Sequence, residues 1–398
     1  MRHNIITESI RQIDAVKIAS ELVKIPSYSF KDNQEKETAE YIYNLFQKEG
    51  ISAELIEVLP GRFNVNAFIP GTGEGKSLML SGHLDTVPAY DMKDPFSGLI
   101  KDGKLHGRGS CDMKGPLAAM IAAVIGIKRS GINLKGDLYF VGVIDEEESG
   151  KGIEYIVNNG PYTDGAVVGE PTSMKIARGQ KGLEWIKATV FGRKVHGGKM
   201  EQGINAIEMA GRLINRIYSE YVPVLNRREH PVLGFPTINI GKIEGGDQPS
   251  TVPGTCTLEI DRRWILGETV QQVYDELKDI IDDMHKRDNR FNADIKGFFA
   301  GDEILPHKPF ITDVKDPLIK SVKKVMNEAG YFGTELTVFP AWSDAGVLAE
   351  YTNTKCVVMG PGDITSAHSG SEHIDTEELK KAALIYGLLA ADYCETVK

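Results

Sequence analysis

The stretch LMLSGHLDTVPAYDMKDPFSGLIKDGKLHGRGSCDMK runs from Leu78 to Lys114 and decides how the rest of the chain is interpreted. Its first residues, 78–80, form a short apolar run without alternation, which is typical of a parallel strand covered on both faces. His83 and Asp85 follow where that strand is expected to end. Chemistry in open α/β sheets collects outside the carboxyl ends of the strands, so His83 is a candidate metal ligand. The alternatives are that His83 is a hydrogen-bonded loop histidine and that Asp85 is a turn aspartate.

Three further apolar runs end where ligand-type side chains begin. They are residues 137–144 before the acidic run 145–148, residues 165–168 before Glu170, and residues 355–359 before a glycine turn and His368. An acidic run is usually a solvated surface patch. One that directly follows a buried strand needs a compensating cation, because burying unpaired carboxylates is costly. The spacing therefore predicts that these strand ends meet around a metal.

The candidate metal ligands are His83, Asp112, Glu147, Glu170 and His368. Zinc binds histidine nitrogen and carboxylate oxygen where thiolates are absent. This set exceeds the needs of one ion with an open position but suits two ions that share a carboxylate, and Asp112 is the candidate bridge. Adjacent side chains on an extended segment point in opposite directions, so one glutamate of the acidic run can bind metal while its neighbour faces substrate and water. That neighbour is a candidate general base.

Length and composition limit the class of protein. A chain of 398 residues favours two domains. A net charge of -10 argues against nucleic acid as a partner. The cysteines are scattered without a C-x-x-C pair, which fits a reducing compartment and excludes a zinc ribbon. The first residues lack the apolar core of a signal peptide, and no segment is apolar enough to span a membrane. We therefore expect a cytoplasmic protein without a membrane partner.

The pattern changes from Gly182 to about Gly297, where alternating segments and helical stretches follow one another. The alternating segments are 183–191, 237–243, 255–262 and 293–299, and the helical stretches are 205–218 and 269–287. Their order predicts a two-layer α+β module inserted into the first domain. The expected fold of that first domain is α/β, with a mixed, largely parallel sheet flanked by helices. The expected boundaries are 1–180 and 300–398 for the catalytic, metal-binding domain and 181–299 for the insert.

Other motifs give weaker indications. Covalent catalysis has little support, because the chain has no G-x-S-x-G elbow and no cysteine in a nucleophile context. Residues 70–77, PGTGEGKS, begin with proline and precede a strand, so they are a turn instead of a phosphate loop. His196 could be a surface histidine in a glycine loop. Arg262 and Arg263 could be strand-end charges that face solvent.

The chain resembles a known family along nearly its whole length. The motifs are S-G-H-L-D-T-V-P from Ser81, G-R-G-S-C-D-M-K-G from Gly107, D-E-E from Asp145, V-G-E-P-T from Val168, H-G-G from His196, D-R-R-x-x-x-G-E from Asp261, and G-P-G with A-H-S from Gly360. With these motifs the chain is similar to the dinuclear-zinc acetylornithine deacetylases, succinyl-diaminopimelate desuccinylases, aminoacylases and glutamate carboxypeptidases. The resemblance implies a zinc-peptidase-like catalytic domain that hydrolyses the amide bond of an N-acyl amino acid.

The resemblance also implies a metal site. One Zn²⁺ is expected at His83, Asp112 and Glu170, and a second at Asp112, Glu147 and His368, with Co²⁺ or Mn²⁺ as possible substitutes. Glu146 matches the family's general base and Asp85 the partner of the first histidine. The Asp112–Met113 peptide bond is expected to be cis.

The remaining implied roles concern the insert and the substrate. In the family the insert mediates dimerisation, and its histidine polarises the scissile carbonyl in the partner subunit, so His196 is expected there in a homodimer. Arg263, with Arg262 beside it, and Gly360 are expected to bind substrate. Leu266 stands where the family commonly has proline. Two other functions stay open: a dipeptidase or carboxypeptidase on the same metal site, and a metal-stabilised binding module without turnover. The presence of Glu146 argues against the binding module.

Overall fold

The computed structural model describes residues 2–298, 305–332 and 335–397. Its strands are β1 (Ser52–Leu59), β2 (Arg62–Ile69), β3 (Leu78–His83), β4 (Leu99–Lys101), β5 (Lys104–His106), β6 (Leu138–Val143), β7 (Gly165–Val168), β8 (Ile176–Gln180), β9 (Gly182–Phe191), β10 (Val195–His196), β11 (Thr237–Gly245), β12 (Thr251–Val252), β13 (Thr255–Trp264), β14 (Asn292–Gly297), β15 (Phe310–Ile311), β16 (Leu336–Phe339), β17 (Lys355–Val358) and β18 (His373–Asp375).

Its α-helices are α1 (Arg2–Arg11), α2 (Ala15–Val23), α3 (Lys36–Lys48), α4 (Lys114–Ser130), α5 (Lys151–Asn159), α6 (Ala206–Arg216), α7 (Val222–Leu225), α8 (Val270–Arg287), α9 (Pro317–Glu328), α10 (Ala345–Tyr351) and α11 (Thr376–Tyr393). A 3₁₀-helix covers Gly197–Gln202 and a π-helix covers Ile217–Tyr221. Within the described ranges, no helix is long and apolar enough to cross a lipid bilayer.

The chain divides into two compact units. The first comprises Met1–Gln180 and Ile311–Lys398, and the second is Lys181–Phe310. The expected boundary at 299–300 lies outside the described residues.

A mixed sheet forms the centre of the first unit. Its strands are ordered β1-β2-β6-β3-β7-β17-β8-β15, and β16 pairs with β8. Strand β3 is parallel to β6 and to β7, and β17 is parallel to β7, whereas β1, β2 and β6 pair antiparallel. Every residue of β3 and β7 is buried, which explains their apolar runs without alternation. The predicted mixed, largely parallel sheet flanked by helices is confirmed.

Helix α4 packs directly behind the candidate site. All its residues from Lys114 to Ile127 are buried, and it packs against α1, α2, α11 and the strands β3 and β6. Small side chains let these helices approach closely: a Cβ on Gly126 would lie 2.3 Å from Ile10 Cγ1. The helix begins two residues after Asp112, so its packing fixes the chain that follows this candidate ligand.

A small sheet that the sequence did not indicate joins distant parts of the first unit. Strand β5 pairs antiparallel with both β4 and β18, and the register places His106 opposite His373. The segment that follows His368 therefore lies beside the segment that precedes Asp112.

The second unit has the predicted order of strand, helix, two strands, helix and strand. Its antiparallel sheet is ordered β11-β13-β9-β14, and helices α6 and α8 contribute to one apolar core with it. Asn205 and Thr269 cap the two helices by accepting backbone N–H groups. The π-helix and α7 extend the helical stretch beyond its predicted end at residue 218. The last predicted strand ends at Gly297, and Phe299 lies outside the described residues.

Candidate metal centre

The candidate ligands collect at one edge of the large sheet. His83 is the last residue of β3, Glu147 follows β6, Glu170 follows β7, and His368 lies in the chain after β17. These four strands are consecutive in the sheet order β6-β3-β7-β17 and run parallel, so their carboxyl ends meet. Asp112 joins them from the start of α4.

Asp112 lies between two histidines. Its Oδ1 is 3.0 Å from His83 Nε2, and its Oδ2 is 3.3 Å from His368 Nε2. His368 Nε2 also lies 3.2 Å from Glu147 Oε1, and His83 Nε2 lies 4.0 Å from Glu170 Oε1. Ligand atoms of His83, Asp112 and Glu147 all fall within 4.8 Å of one another. The side chains thus form two groups that share the Asp112 carboxylate. The Asp112–Met113 peptide bond is cis, as the resemblance implies.

The orientation of His83 suits a metal ligand. Its Nδ1 donates a hydrogen bond to the backbone carbonyl of Asp85 at 3.0 Å, which leaves Nε2 directed at Asp112. A neutral imidazole in this tautomer would point a lone pair at a carboxylate oxygen, so a proton or a cation must lie between them. Burial is the largest single influence and lowers the pKa of His83, but its hydrogen bonds with Asp112 and Asp85 and the nearby acidic groups together raise that pKa well above its usual value.

The Asp85 carboxylate binds backbone groups as well as lying near His83, the partner that the resemblance implies for it. Its Oδ1 is 3.6 Å from His83 Nδ1, farther than the backbone carbonyl of the same residue. Its two oxygens instead accept the backbone N–H groups of Glu146, at 3.3 Å, and Glu147, at 3.0 Å. Asp85 therefore connects the end of β3 to the end of β6.

The charge at this edge fits bound cations. Burial is the main cause that raises the pKa of Glu146 and Glu170 well above the ordinary value, and neighbouring carboxylates add to it. Burial also raises the pKa of Asp344 to about 8. Among the described residues, Glu170 Oε1 and both oxygens of Asp344 are buried without a hydrogen-bond partner. Buried carboxyl groups in this state either take up a proton or pair with positive charge, and the oxygen and imidazole donors at this edge match the ligands of divalent metal ions.

Sequence reasoning missed the groups that hold the acidic run. The Arg62 guanidinium binds Glu35 through Nε at 2.8 Å, and its Nη1 lies 2.9 Å from Asp145 Oδ1. Glu35 Oε1 also accepts the Asp145 backbone N–H at 3.3 Å. Asp145 adopts a left-handed backbone, with φ of 71°, which turns the chain just before Glu146. No local pattern links these residues, because their contact depends on the pairing of distant strands.

Gly360 has a packing reason to be glycine. A Cβ at this position would lie 2.1 Å from the backbone oxygen of Gly169, closer than any real contact. Thr172 also bonds with the backbone of Gly360. The turn after β17 can therefore approach the turn after β7 only without a side chain. The expected substrate contact of Gly360 stays a prediction.

The remaining predicted residues lie in the second unit. His196 is exposed at the end of β10, and its Nδ1 accepts the Gly198 N–H at 3.1 Å. Arg263 is partly exposed and pairs with Asp261 at 2.8 and 2.9 Å. Among the described residues, its buried Nη1 has no hydrogen-bond partner.

Arg262 is fully buried, so the alternative of a solvent-facing charge is wrong for this residue. Its Nη2 donates to Glu268 at 2.7 Å and its Nε to the Tyr221 hydroxyl at 3.3 Å. These contacts indicate an anchor within the insert instead of a substrate ligand. The alternating pattern of β13 could have predicted the burial of Arg262, because this residue shares a face of the strand with Leu258 and Ile260.

Comparison with known proteins agrees with this geometry. Residues 79–392 match the profile of Peptidase family M20/M25/M40. The chain belongs to this family. As a member of peptidase family M20, it is a metal-dependent hydrolase of amide bonds.

Relatives of known activity and structure cover nearly the whole chain. An acetylornithine deacetylase of Proteus mirabilis (strain HI4320) is 31% identical over 95% of this chain and 96% of its own length. One of Pectobacterium carotovorum is 28% identical over 95% and 97%. An M20 family metallo-carboxypeptidase of Sulfolobus solfataricus has the same fold, with a TM-score of 0.79, 20% identity, and coverage of 96% and 99%. Human carnosine dipeptidase 1 has a TM-score of 0.76, 18% identity, and coverage of 99% and 100%.

Proposed function

We propose that this M20 hydrolase cleaves the amide bond of an N-acyl amino acid, with an acetylated diamino acid such as N-acetylornithine as its first candidate substrate. The identity with acetylornithine deacetylases over nearly the full chain supports this substrate class. The observation that carries the reaction is the position of Asp112, whose two carboxylate oxygens each face a different histidine. That arrangement suits a carboxylate shared by two ions.

Two zinc ions are the proposed cofactors. His83, Asp112 and Glu170 would hold one ion, and Asp112, Glu147 and His368 would hold the other. When bound, the ions supply positive charge that polarises the amide carbonyl and makes water easier to deprotonate. Co²⁺ and Mn²⁺ accept the same nitrogen and oxygen donors, so they are proposed as substitutes.

Glu146 is the proposed general base. It follows β6 next to the ligand Glu147, and the carboxylate of Asp85 fixes the backbone of both residues. In this account a Glu146 carboxylate oxygen takes a proton from the attacking water as the water oxygen bonds to the carbonyl carbon. The same carboxyl group then gives the proton to the amide nitrogen, so that the C–N bond breaks and the amine leaves.

The insert is proposed to complete the site in a homodimer. His196, which is exposed in its glycine loop, would donate a hydrogen bond from the partner subunit to the carbonyl oxygen as negative charge develops there. Arg263, which is partly exposed and has an Nη1 without a partner among the described residues, is proposed to bind the α-carboxylate of the substrate. The free, buried cysteines support our proposal of a reducing compartment, the cytoplasm.

A substrate panel tests the proposal. Protein reconstituted with Zn²⁺ is assayed with N-acetyl amino acids, N-succinyl amino acids and dipeptides of the same amino acids. We expect the highest kcat/KM for an N-acyl amino acid. Hydrolysis of dipeptides alone would replace the proposal with a dipeptidase, and hydrolysis of no member of the panel would overturn the proposed substrate class.

A further inference from the structure

A buried ion pair contacts the segment that carries Asp112. Arg108 and Glu372 are 1% and 0% exposed, and Arg108 Nη1 bonds to Glu372 Oε2. They belong to segments 264 positions apart in the sequence. The pairing of β5 with β18 brings these segments together. Neither residue is a candidate ligand.

Glu372 holds the backbone of the shared carboxylate. Its Oε1 accepts the N–H groups of Cys111, at 2.9 Å, and Asp112, at 3.1 Å. A single oxygen of Glu372 thus holds the two successive backbone N–H groups that lead into Asp112, the residue between the two histidines. Because Oε2 is occupied by Arg108, the carboxylate cannot rotate without breaking several bonds.

Arg108 extends this connection to two other loops. Its Nε donates to the backbone carbonyl of Pro88 at 3.1 Å, in the chain that follows His83 and Asp85. Its Nη2 donates to the backbone carbonyl of Ser369 at 3.5 Å, directly after His368. The pair therefore contacts the chain that follows His83, the segment that carries Asp112 and the loop that carries His368.

We propose that the Arg108–Glu372 pair positions Asp112 and His368 relative to each other and thereby sets the affinity of the second metal ion. The pair acts through the ligands and touches no substrate, so both members are positioning residues. This inference rests on the proposed two-ion site. It adds the groups that keep the ligands of the second ion at their spacing.

Binding of the second ion depends on this pair more than binding of the first ion does. His83 ends a fully buried strand, and the ladder of β3 with β6 and β7 fixes its backbone. His368 instead lies in a loop with a left-handed backbone, φ of 58°, and its side chain is 49% exposed. A loop ligand needs such a support to hold its geometry, and groups that orient metal ligands commonly change metal affinity by about 10- to 100-fold.

Metal titration of variants tests the proposal. Apo-protein prepared with a chelator is titrated with Zn²⁺ by calorimetry, and with Co²⁺ by absorbance. The variant is Glu372→Gln, which keeps the shape but leaves Arg108 without its charged partner. The control is Glu268→Gln in the insert, because Glu268 is also buried, pairs with the buried Arg262 and accepts a backbone N–H, from Ile265.

We expect Glu372→Gln to bind the second ion about 10- to 100-fold more weakly, with a smaller change at the first ion, which shares Asp112 but has its histidine on a strand. Glu268→Gln should lower the Tm by a similar amount yet bind both ions as the wild type does. Native affinity for both ions in Glu372→Gln would overturn the inference, and so would equal weakening in Glu268→Gln.

A second variant covers the case in which Glu372→Gln does not fold. Arg108→Lys keeps the positive charge but loses the planar guanidinium that reaches Pro88 and Ser369. This variant should also bind the second ion more weakly. Native affinities in Arg108→Lys would then overturn the inference. The wild-type titration separates this test from the proposed function: a wild type that binds one ion contradicts the two-ion site, whatever the variants do.

Discussion

The carboxylate of Asp85 accepts the backbone N–H of Glu147 at 3.0 Å, which joins the ends of two neighbouring parallel strands. The same carboxylate accepts the N–H of Glu146 through its other oxygen. The residue that orients His83 through its backbone carbonyl thus also fixes the proposed base and a ligand of the second ion.

Asp85→Asn should therefore impair both the proposed base, Glu146, and the proposed metal ligand, Glu147. Asparagine has one oxygen, so its NH₂ group would face a backbone N–H, and one of the two hydrogen bonds would be lost. We expect kcat to fall by about 10- to 100-fold. The control is Asp137→Asn, because Asp137 accepts the Gly71 N–H at the opposite end of β6. Equal kcat values for wild type and Asp85→Asn would contradict this role.

Glu146→Gln should separate metal binding from turnover. The amide keeps the size of the side chain but cannot take a proton, so kcat should fall by about 10²- to 10⁴-fold while metal content stays at the wild-type level. The neighbouring Glu148→Gln serves as the control. Steady-state kinetics and metal analysis of both proteins check this, and near wild-type turnover in Glu146→Gln would rule out the assignment.

His196→Ala should leave metal content and Tm unchanged, because the side chain is exposed in its loop. Loss of a donor to the developing negative charge should lower kcat by about 10²- to 10³-fold. Lys199→Ala, in the adjoining 3₁₀-helix, is the control. Mixed with Glu146→Gln protein, the variant should regain activity, because heterodimers pair an intact Glu146 with an intact His196. No recovery after subunit exchange would argue against donation across subunits.

The two neighbouring arginines should respond differently to replacement. Arg263→Ala should raise KM and lower kcat/KM by about 10- to 100-fold, as expected for a lost charge-assisted hydrogen bond. Arg262→Ala should instead reduce the free energy of unfolding by about 3 kcal/mol, because it breaks a buried ion pair with Glu268. Urea unfolding and kinetics of both variants check this. A stable Arg262→Ala protein with a raised KM would reverse the two roles.

The strand ends could be predicted because the apolar runs that indicate them are local in the sequence. Runs such as 78–80 and 165–168 are apolar without alternation, which requires burial on both faces, and parallel strands must place their carboxyl ends on one edge. The sequence alone therefore suggested that His83, Glu147 and Glu170 lie near one another. The elements of the insert were predictable for a similar reason, because its strands and helices have clear periodicity.

The supports of the site were not predictable, because they depend on long-range pairing. Arg108 and Glu372 are single charged residues in irregular segments, and a solvated surface is the usual place for such residues. Only the pairing of β5 with β18 buries them together. Asp344 is similar: it directly precedes α10, its side chain makes no capping hydrogen bond, and its burial becomes evident only when the fold is complete.

The metal content of the reconstituted protein tests the central claim, that the Asp112 carboxylate serves two ions at once. Protein saturated with Zn²⁺ and freed of excess metal is analysed by mass spectrometry, together with His368→Ala. The account predicts two zinc ions per chain in the wild type and one in His368→Ala, which retains His83, Asp112 and Glu170. One ion per chain in a fully active wild type would contradict it.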